Sequence, residues 1–485
     1  KIGKPVFHNA LFDVDFLESG GIPVPHIHED TMLLHHAIHP ELSHKLGFVV
    51  SIYGETPYWK GEFLKREVGI LELSDESLRT YNARDAAVLL EILPGLIQDA
   101  QELGVYEHVY RDIALGLIRP IFAMERKGIL LSKSRLATWK RNLDKQIKEL
   151  DHKLKSEASL PEGFNLDSDT DLRLLIYNYE ASKFTTALRE YAAYQVPDTK
   201  KRKDTKRYKE IARLYSIVMN TKPLLGAGVK AERTTKTGMP SVDDEALLVV
   251  GLHMRNRLRK IDSFTRKEKF EDERKRIQGA LSWLSALSEY RKAHKLRSTY
   301  SSFPTDPEGA VHTSYLIHGT ASGRLASRNP NLQNVPLSAR KLFIARPGCV
   351  FVGRDYSNLE LRIAAILSSE SRMLQAFADG ANLHDLNTKG LFQIGEDDPL
   401  WKPARRAAKI YVFGRRLYGG SAKGIYLKVL AEAPELELTY ADFQKFDVIF
   451  DSLYPELARW QRSIKAQVLG TKMVRNAFGR LRPAT

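Results

Sequence analysis

Asp355 closes the apolar stretch that begins at Val350, and the residues after it read as an amphipathic helix. A lone carboxylate at the end of a buried strand is costly to desolvate, so the position asks for a cation. A second reading uses the same residues: Ser357 and Glu360 form a Ser-x-x-Glu capping box ahead of Leu361, Ile363, Ala364, Ile366 and Leu367, with Asp355 in the turn. Further along, Arg405, Lys409 and Phe413 recur at helical spacing. Two cations and an aromatic ring on one face suit a triphosphate and a stacked base; alone, they also fit a solvated stripe with one core Phe. A third stretch, "SGRLASRNPNLQNVP" at 322–336, gathers Arg, Asn and Gln between two prolines. Planar amides and guanidinium groups there suit base edges and sugar-phosphate contacts, or an ordinary turn-rich connector.

The elements that must position these groups are a strand into a helix at 350–368, a helix through 405–413 and a loop before both. The chain has 485 residues, enough for two or more domains. Its 74 Lys and Arg against 59 Asp and Glu leave a formal charge of +15, which points to a polyanionic partner, nucleic acid first. The single cysteine, Cys349, excludes an internal disulfide and is consistent with a reducing compartment. No apolar run approaches the length of a membrane span. Residues 1 to about 95 read as α/β and end in the helix "SLRTYNARDAAVLLEIL"; from about 100 to 160 the pattern is helical, with a turn at Lys127 and Gly128. Residues 196–240 hold the basic run "DTKKRKDTKRYKE", a solvated segment or a nucleic-acid contact. The chain mixes strands and turns from about 310 to Asp355 and is mostly helical after it. Six histidines, His26, His28, His35, His36, His39 and His44, crowd one stretch, but their spacing matches no compact zinc pattern, and "DTMLLHH" fits a helix.

Together the three stretches resemble the family A DNA polymerases, the DNA polymerase I group that includes many phage replicases. "DYSNLELR" looks like motif A and "RRAAKIYVFGRRLYGG" like motif B; "GRLASRNPNLQNVP" matches the segment entering the palm, and "NLHDLN" the short motif between A and B. "LIRPIFAMERKGI" and "EYRKAHKLRSTY" fit the thumb. Upstream, "NALFD" with Asn9 and Asp13, and "YNARD" with Tyr81 and Asp85, look like the second and third motifs of a 3′→5′ proofreading exonuclease.

The resemblance implies an α/β multidomain fold: an RNase H-like exonuclease remnant, then a right-hand polymerase with helical thumb, α/β palm and helical fingers. The expected divisions are exonuclease 1–97, thumb and connecting helices 98–310, palm 311–370, fingers 371–435 and a return towards the palm at 436–485. It also implies primer-template DNA and deoxynucleoside triphosphates as partners, replication accessory proteins, no membrane, the cytoplasm of a bacterial or phage-infected cell, and two Mg2+ ions with Mn2+ as substitute. Asp355 then bridges the metals with help from the Tyr356 carbonyl. Arg405, Lys409 and His384 grip the triphosphate, Lys409 also protonating the departing pyrophosphate. Phe413 and Tyr418 pack near base and sugar, Glu360 crowds the sugar 2′ position, Arg324 tracks the primer terminus, and Asn331, Gln333 and Asn334 lie near the duplex. Asp13 and Asp85 are the implied exonuclease metal ligands.

Two departures stand out. Asn358 replaces the usual Gln, and the second aromatic of motif B comes one residue late, with Leu417 in its place and Tyr418 after it. On a regular helix that turns Tyr418 by about 100° off the Lys409 and Phe413 face, so a π-bulge near Gly414 to Arg416 is expected to restore it. The chain opens at Lys1 in what reads as mid-domain, and neither an Asp-x-Glu strand nor motif C with its second bridging aspartate is found. A fragment at both ends is therefore expected. The rival readings are a fragment that binds primer-template DNA without turnover and, more distantly, a single-subunit RNA polymerase, which lacks Glu360 and the exonuclease motifs.

Overall fold

Asp30 illustrates how a buried charge earns its place. Its carboxylate accepts from the N–H groups of Met32 and Leu33 at 2.9 and 3.0 Å, starting helix Thr31–Ile38, and from Ala10 N–H at 2.7 Å, at the start of helix Ala10–Ser19. One carboxylate thus satisfies orphan donors of two helices. The computed structural model describes residues 3–63, 74–177, 213, 216–217, 233–265 and 267–483. The basic run at 198–210 lies outside them. The chain divides into two compact units.

The first unit comprises Lys1–Leu136, Ser302–Asp355 and Arg459–Thr485. Val6–Phe7 pairs in parallel with Glu29–Asp30. Helix Asp75–Glu102 starts on a Ser74 cap and buries Tyr81, Val88, Leu89, Ile92, Leu96 and Ala100. These residues recur at helical spacing, so one apolar stripe faces helix Thr31–Ile38, which is buried along its whole length. Buried Glu29 accepts from Arg111 at 2.9 Å, Tyr110 at 2.7 Å and Tyr106 at 2.8 Å, which offsets its desolvation. Further on, Ile129–Leu131 is the centre of a three-stranded antiparallel sheet, between Ala310–Val311 and Phe343–Ile344. The turn before it needs Gly128: at φ 57° an added Cβ would sit 2.7 Å from the His312 ring.

The strand expected at 350–354 is not formed. Those residues carry no regular secondary structure, with Val350 82%, Phe351 61% and Val352 78% exposed. An apolar run becomes a buried strand only where neighbours supply ladder bonds and a covering face, and no strand among the described residues pairs with it. Asp355, at its end, is exposed as well.

The second unit comprises Ala137–Ser301 and Tyr356–Ala458. Helix Asp244–Asp262, capped by Asp243, packs on helix Glu271–Tyr300. Trp283 donates its indole N–H to Leu154 O at 2.9 Å, and Arg297 pairs with Asp144 at 2.7 Å, fastening that pair to helix Lys133–Glu157. Helix Trp401–Tyr411 packs against helices Leu383–Phe392 and Ala422–Glu432. Its fully buried Tyr411 ring has its centroid 5.4, 5.5 and 6.1 Å from those of Phe443, Phe446 and Phe450 on helix Tyr440–Leu453.

Helix Leu359–Ser368 corrects two expectations. It buries Leu361, Ala364 and Ala365 while Ile363, Ile366 and Leu367 stay exposed, so the core stripe is narrower than the apolar run. Its N-cap is Asn358 in the left-handed region at φ 54°, with no side-chain cap. The Ser357–Glu360 capping box is absent because the helix starts one residue later than that motif requires, and the Glu360 carboxylate is engaged elsewhere.

Candidate active site

Sequence spacing put Arg405, Lys409 and Phe413 on one helix face, and their surroundings in the second unit show what the face meets. Asn382 caps helix Leu383–Phe392 by accepting from His384 N–H at 3.0 Å. That cap sets the His384 ring 5.7 Å from the Phe413 ring, centroid to centroid. Burial lowers the His384 pKa, and the Lys409 and Arg405 cations lower it further against the opposing Asp385 carboxylate. Imidazole, both cations and the aromatic ring therefore share one neighbourhood. His384 Nδ1 is buried with no hydrogen-bond partner in the protein, an orphan whose desolvation a ligand oxygen would relieve. Arg405 donates Nε–H to Asp385, a partner the sequence reading missed; its place in "NLHDLN", directly after His384, was the available signal.

The extra residue of motif B is absorbed as expected. Val412–Leu417 is a π-helical turn, and Tyr418 N–H donates to Phe413 O, five residues back, at 2.9 Å. The Tyr418 ring returns to 6.4 Å from that of Phe413, and its hydroxyl donates to the Glu360 carboxylate. Gly414 lets the turn lie close to Ile425, whose terminal methyl would have to shift for an added Cβ 2.6 Å away.

Apart from Tyr356, the remaining expected residues sit in the first unit. In the 322–336 loop, Asn331 Oδ1 takes a hydrogen bond from Ser327 Oγ at 3.0 Å and from Asn334 N–H at 3.2 Å, and Gln333 donates to Leu325 O at 3.1 Å. These amides hold the loop itself. Arg324 is exposed beside Gly323, against which the Arg480 guanidinium packs. Asn9 precedes helix Ala10–Ser19 in the left-handed region, and Asp13 lies one turn in; burial, reinforced by the Asp30 charge, pushes the Asp13 carboxyl up to about 6. Asp85, one turn after buried Tyr81, accepts from Trp59 Nε1 at 2.8 Å and Lys60 Nζ at 3.3 Å. Asp355 and Tyr356 are both exposed. Among the described residues, no group of three or more His, Cys, Asp or Glu side chains could hold a metal ion.

Comparison with known proteins gives the arrangement a context. Residues 244–485 match the profile of DNA polymerase family A. DNA polymerase I of Chloroflexus aurantiacus is 27% identical over 439 residues, covering 87% of this chain and 38% of that protein. The DNA polymerase of Bacillus phage SP01 is 24% identical over 513 residues, covering 98% and 51%, and the thermostable DNA polymerase I of Thermus aquaticus is 34% identical over 212 residues, covering 40% and 24%. The chain thus spans between 24% and 51% of the length of these relatives. In fold it matches the POL domain of Pol1 from M. smegmatis, solved with DNA primer-template and dNTP, at a TM-score of 0.66 and 19% identity over 99% of this chain and 68% of that one. Residues 244–485 of this chain are thus a DNA polymerase family A domain.

Proposed function

We propose that the chain takes part in template-directed DNA synthesis, adding deoxynucleotides to a primer 3′ end. The observation that carries this reading is the cluster of His384, Arg405, Lys409 and Phe413, with the Tyr418–Glu360 hydrogen bond in the same unit. Lys409 and Arg405 bind the triphosphate oxygens, and His384 adds a donor whose burial keeps the ring neutral near pH 7. The Phe413 face stacks the base. Glu360, already accepting from Tyr418, presents a filled carboxylate to the sugar edge, so a 2′-hydroxyl meets both crowding and a competitor for the same acceptor. Lys409 holds a proton at Nζ for the departing pyrophosphate.

Divalent metal, Mg2+ or Mn2+, supplies charge neutralisation and activation of the primer oxygen when bound. Asp355 and the Tyr356 carbonyl are hard oxygen donors of the kind such ions take, and they are the residues that would hold it. The roles of the cationic cluster do not depend on it. Primer-template DNA is the macromolecular partner this reading requires, and Arg324, with Asn334 from the same loop, is the contact offered to it. The proofreading reading rests on Asp13 in helix Ala10–Ser19 with Asn9 just before it, and on Tyr81 and Asp85 in helix Asp75–Glu102. Equilibrium titration with a deoxynucleoside triphosphate tests the central cluster: Lys409→Ala is expected to weaken binding by about 10- to 100-fold, and unchanged affinity would remove the cluster from the nucleotide site.

A further inference from the structure

The extra residue of motif B lies between Phe413 and Tyr418, a span that holds Arg415 and Arg416, and the structure shows what these two arginines are matched to. The turn that absorbs it is wide: besides the bond from Tyr418 to Phe413, Gly420 N–H donates to Gly414 O at 2.8 Å. Such a turn interrupts the α ladder and needs contacts outside the helix to hold it. On an α-helix, consecutive side chains diverge by about 100°. Here both arginines reach one face of helix Tyr440–Leu453, where Asp447 and Asp451 lie one turn apart.

Arg415 donates Nη2–H to Asp447 at 2.7 Å and Nη1–H to Gly420 O at 3.1 Å, so it ties the exit of the wide turn to the neighbouring helix. Arg416 donates to Asp451, comes within 3.5 Å of Asp447, and lays its guanidinium 4.9 Å from the Phe450 ring centroid. Asp447 also accepts from Tyr411 at 2.7 Å, on the straight helix before the turn. Burial pushes the Asp447 carboxyl up, but the hydrogen bonds from Arg415 and Tyr411 outweigh it and leave the group below the ordinary aspartate value. Entry, middle and exit of the turn are thus joined to one pair of carboxylates, and the residue immediately after it, Tyr418, meets Glu360.

We propose that this clamp of two arginines and two aspartates is a specificity-determining positioning device, which holds the wide turn so that Tyr418 stays against Glu360 and thereby sets how strictly the site excludes a 2′-hydroxyl. It rests on the proposed role of Glu360 in the sugar pocket. A clamp that merely fastened two helices would change stability and leave both the Tyr418 contact and the sugar preference alone.

The full chain with 3-fluorotyrosine encoded at position 418 reports the contact by 19F NMR without turnover, with Glu360→Ala marking the resonance of a lost contact. Asp451→Asn is expected to move the resonance towards that position, and the exchange Arg416→Asp with Asp451→Arg to bring it back. Selectivity, measured as the ratio of kcat/KM for deoxy- over ribonucleotide, is expected to fall about tenfold in Asp451→Asn and to recover in the exchange. If Asp451→Asn is too unstable to study, Arg416→Lys, which keeps the charge and loses the planar fork, is expected to shift the resonance the same way. A resonance unmoved in these variants, or moved and not restored by the exchange, would overturn the proposal. A Glu360→Ala chain with unchanged selectivity would instead strike the reading of Glu360, which the resonance test does not assume.

Discussion

Glu360 carries a different burden from the one its spacing suggested. A glutamate three residues after a serine reads as a cap, yet its carboxylate accepts from Tyr418, 58 residues away in sequence. The helix start passes to Asn358, whose short polar side chain tolerates the left-handed backbone there. Local propensity could not settle this, because the competing partner comes from another element. The prediction at this scale is that Glu360→Ala lowers discrimination against ribonucleotides by roughly 10- to 200-fold, read as the ratio of extension rates with deoxy- and ribonucleoside triphosphates. Unchanged discrimination would leave the Tyr418 contact a structural one. His384 is the complementary case: its motif named it, but only the structure shows an orphaned Nδ1 beside two cations.

Elements were legible in proportion to how far their own sequence determines them. The helix bearing Tyr81 and Asp85 follows from its apolar period and its serine cap, and the wide turn in motif B follows from counting residues between Phe413 and Tyr418. What counting could not supply was the partner: Asp447 and Asp451 lie on another helix, Tyr440–Leu453, and nothing within motif B points to them. The stretch 350–354 was misread because a strand is a property of its neighbours. The histidine-rich stretch contains helix Thr31–Ile38, whose His35 and His36 are fully buried, with His35 Nδ1 2.8 Å from His44 Nδ1 and His36 Nε2 3.0 Å from Thr320 O. Burial lowers His35 and His36 to about 3 and His44 to about 4, with neighbouring histidines adding for His35 and His44 and the Arg480 charge for His36. The unfolded chain takes up these protons near the model-peptide value of 6.5 while the folded chain refuses them, so stability is fully present above about 6.5 and is lost as pH falls towards the folded values. The unfolding temperature should therefore drop between pH 7 and pH 5, and drop less steeply in His36→Gln, where one of these groups is removed. An equal slope in both chains would contradict the assignment.

For the whole molecule, charge and motif order carried most of what the sequence could say. A surplus of +15 pointed to a polyanion before any motif was read, and several short motifs in order pointed to a family that the profile match over 244–485 and the shared fold then supported. The division of the chain into two compact units, each built from segments distant in sequence, was not legible, because which segments cluster is decided by packing between elements rather than within them. A surplus of this size predicts that affinity for primer-template DNA falls steeply with salt, log K declining against log salt with a slope of about −0.9 for each phosphate neutralised; an affinity indifferent to salt would remove charge as the source of binding. The most direct measurement of the central claim is primer extension by the chain with Mg2+, a primer-template and deoxynucleoside triphosphates, run beside Asp355→Ala and Lys409→Ala. The account predicts template-dependent extension by the parent chain, abolished in Asp355→Ala and slowed by about 100-fold or more in Lys409→Ala. Extension that survives both substitutions at the parent rate would contradict it.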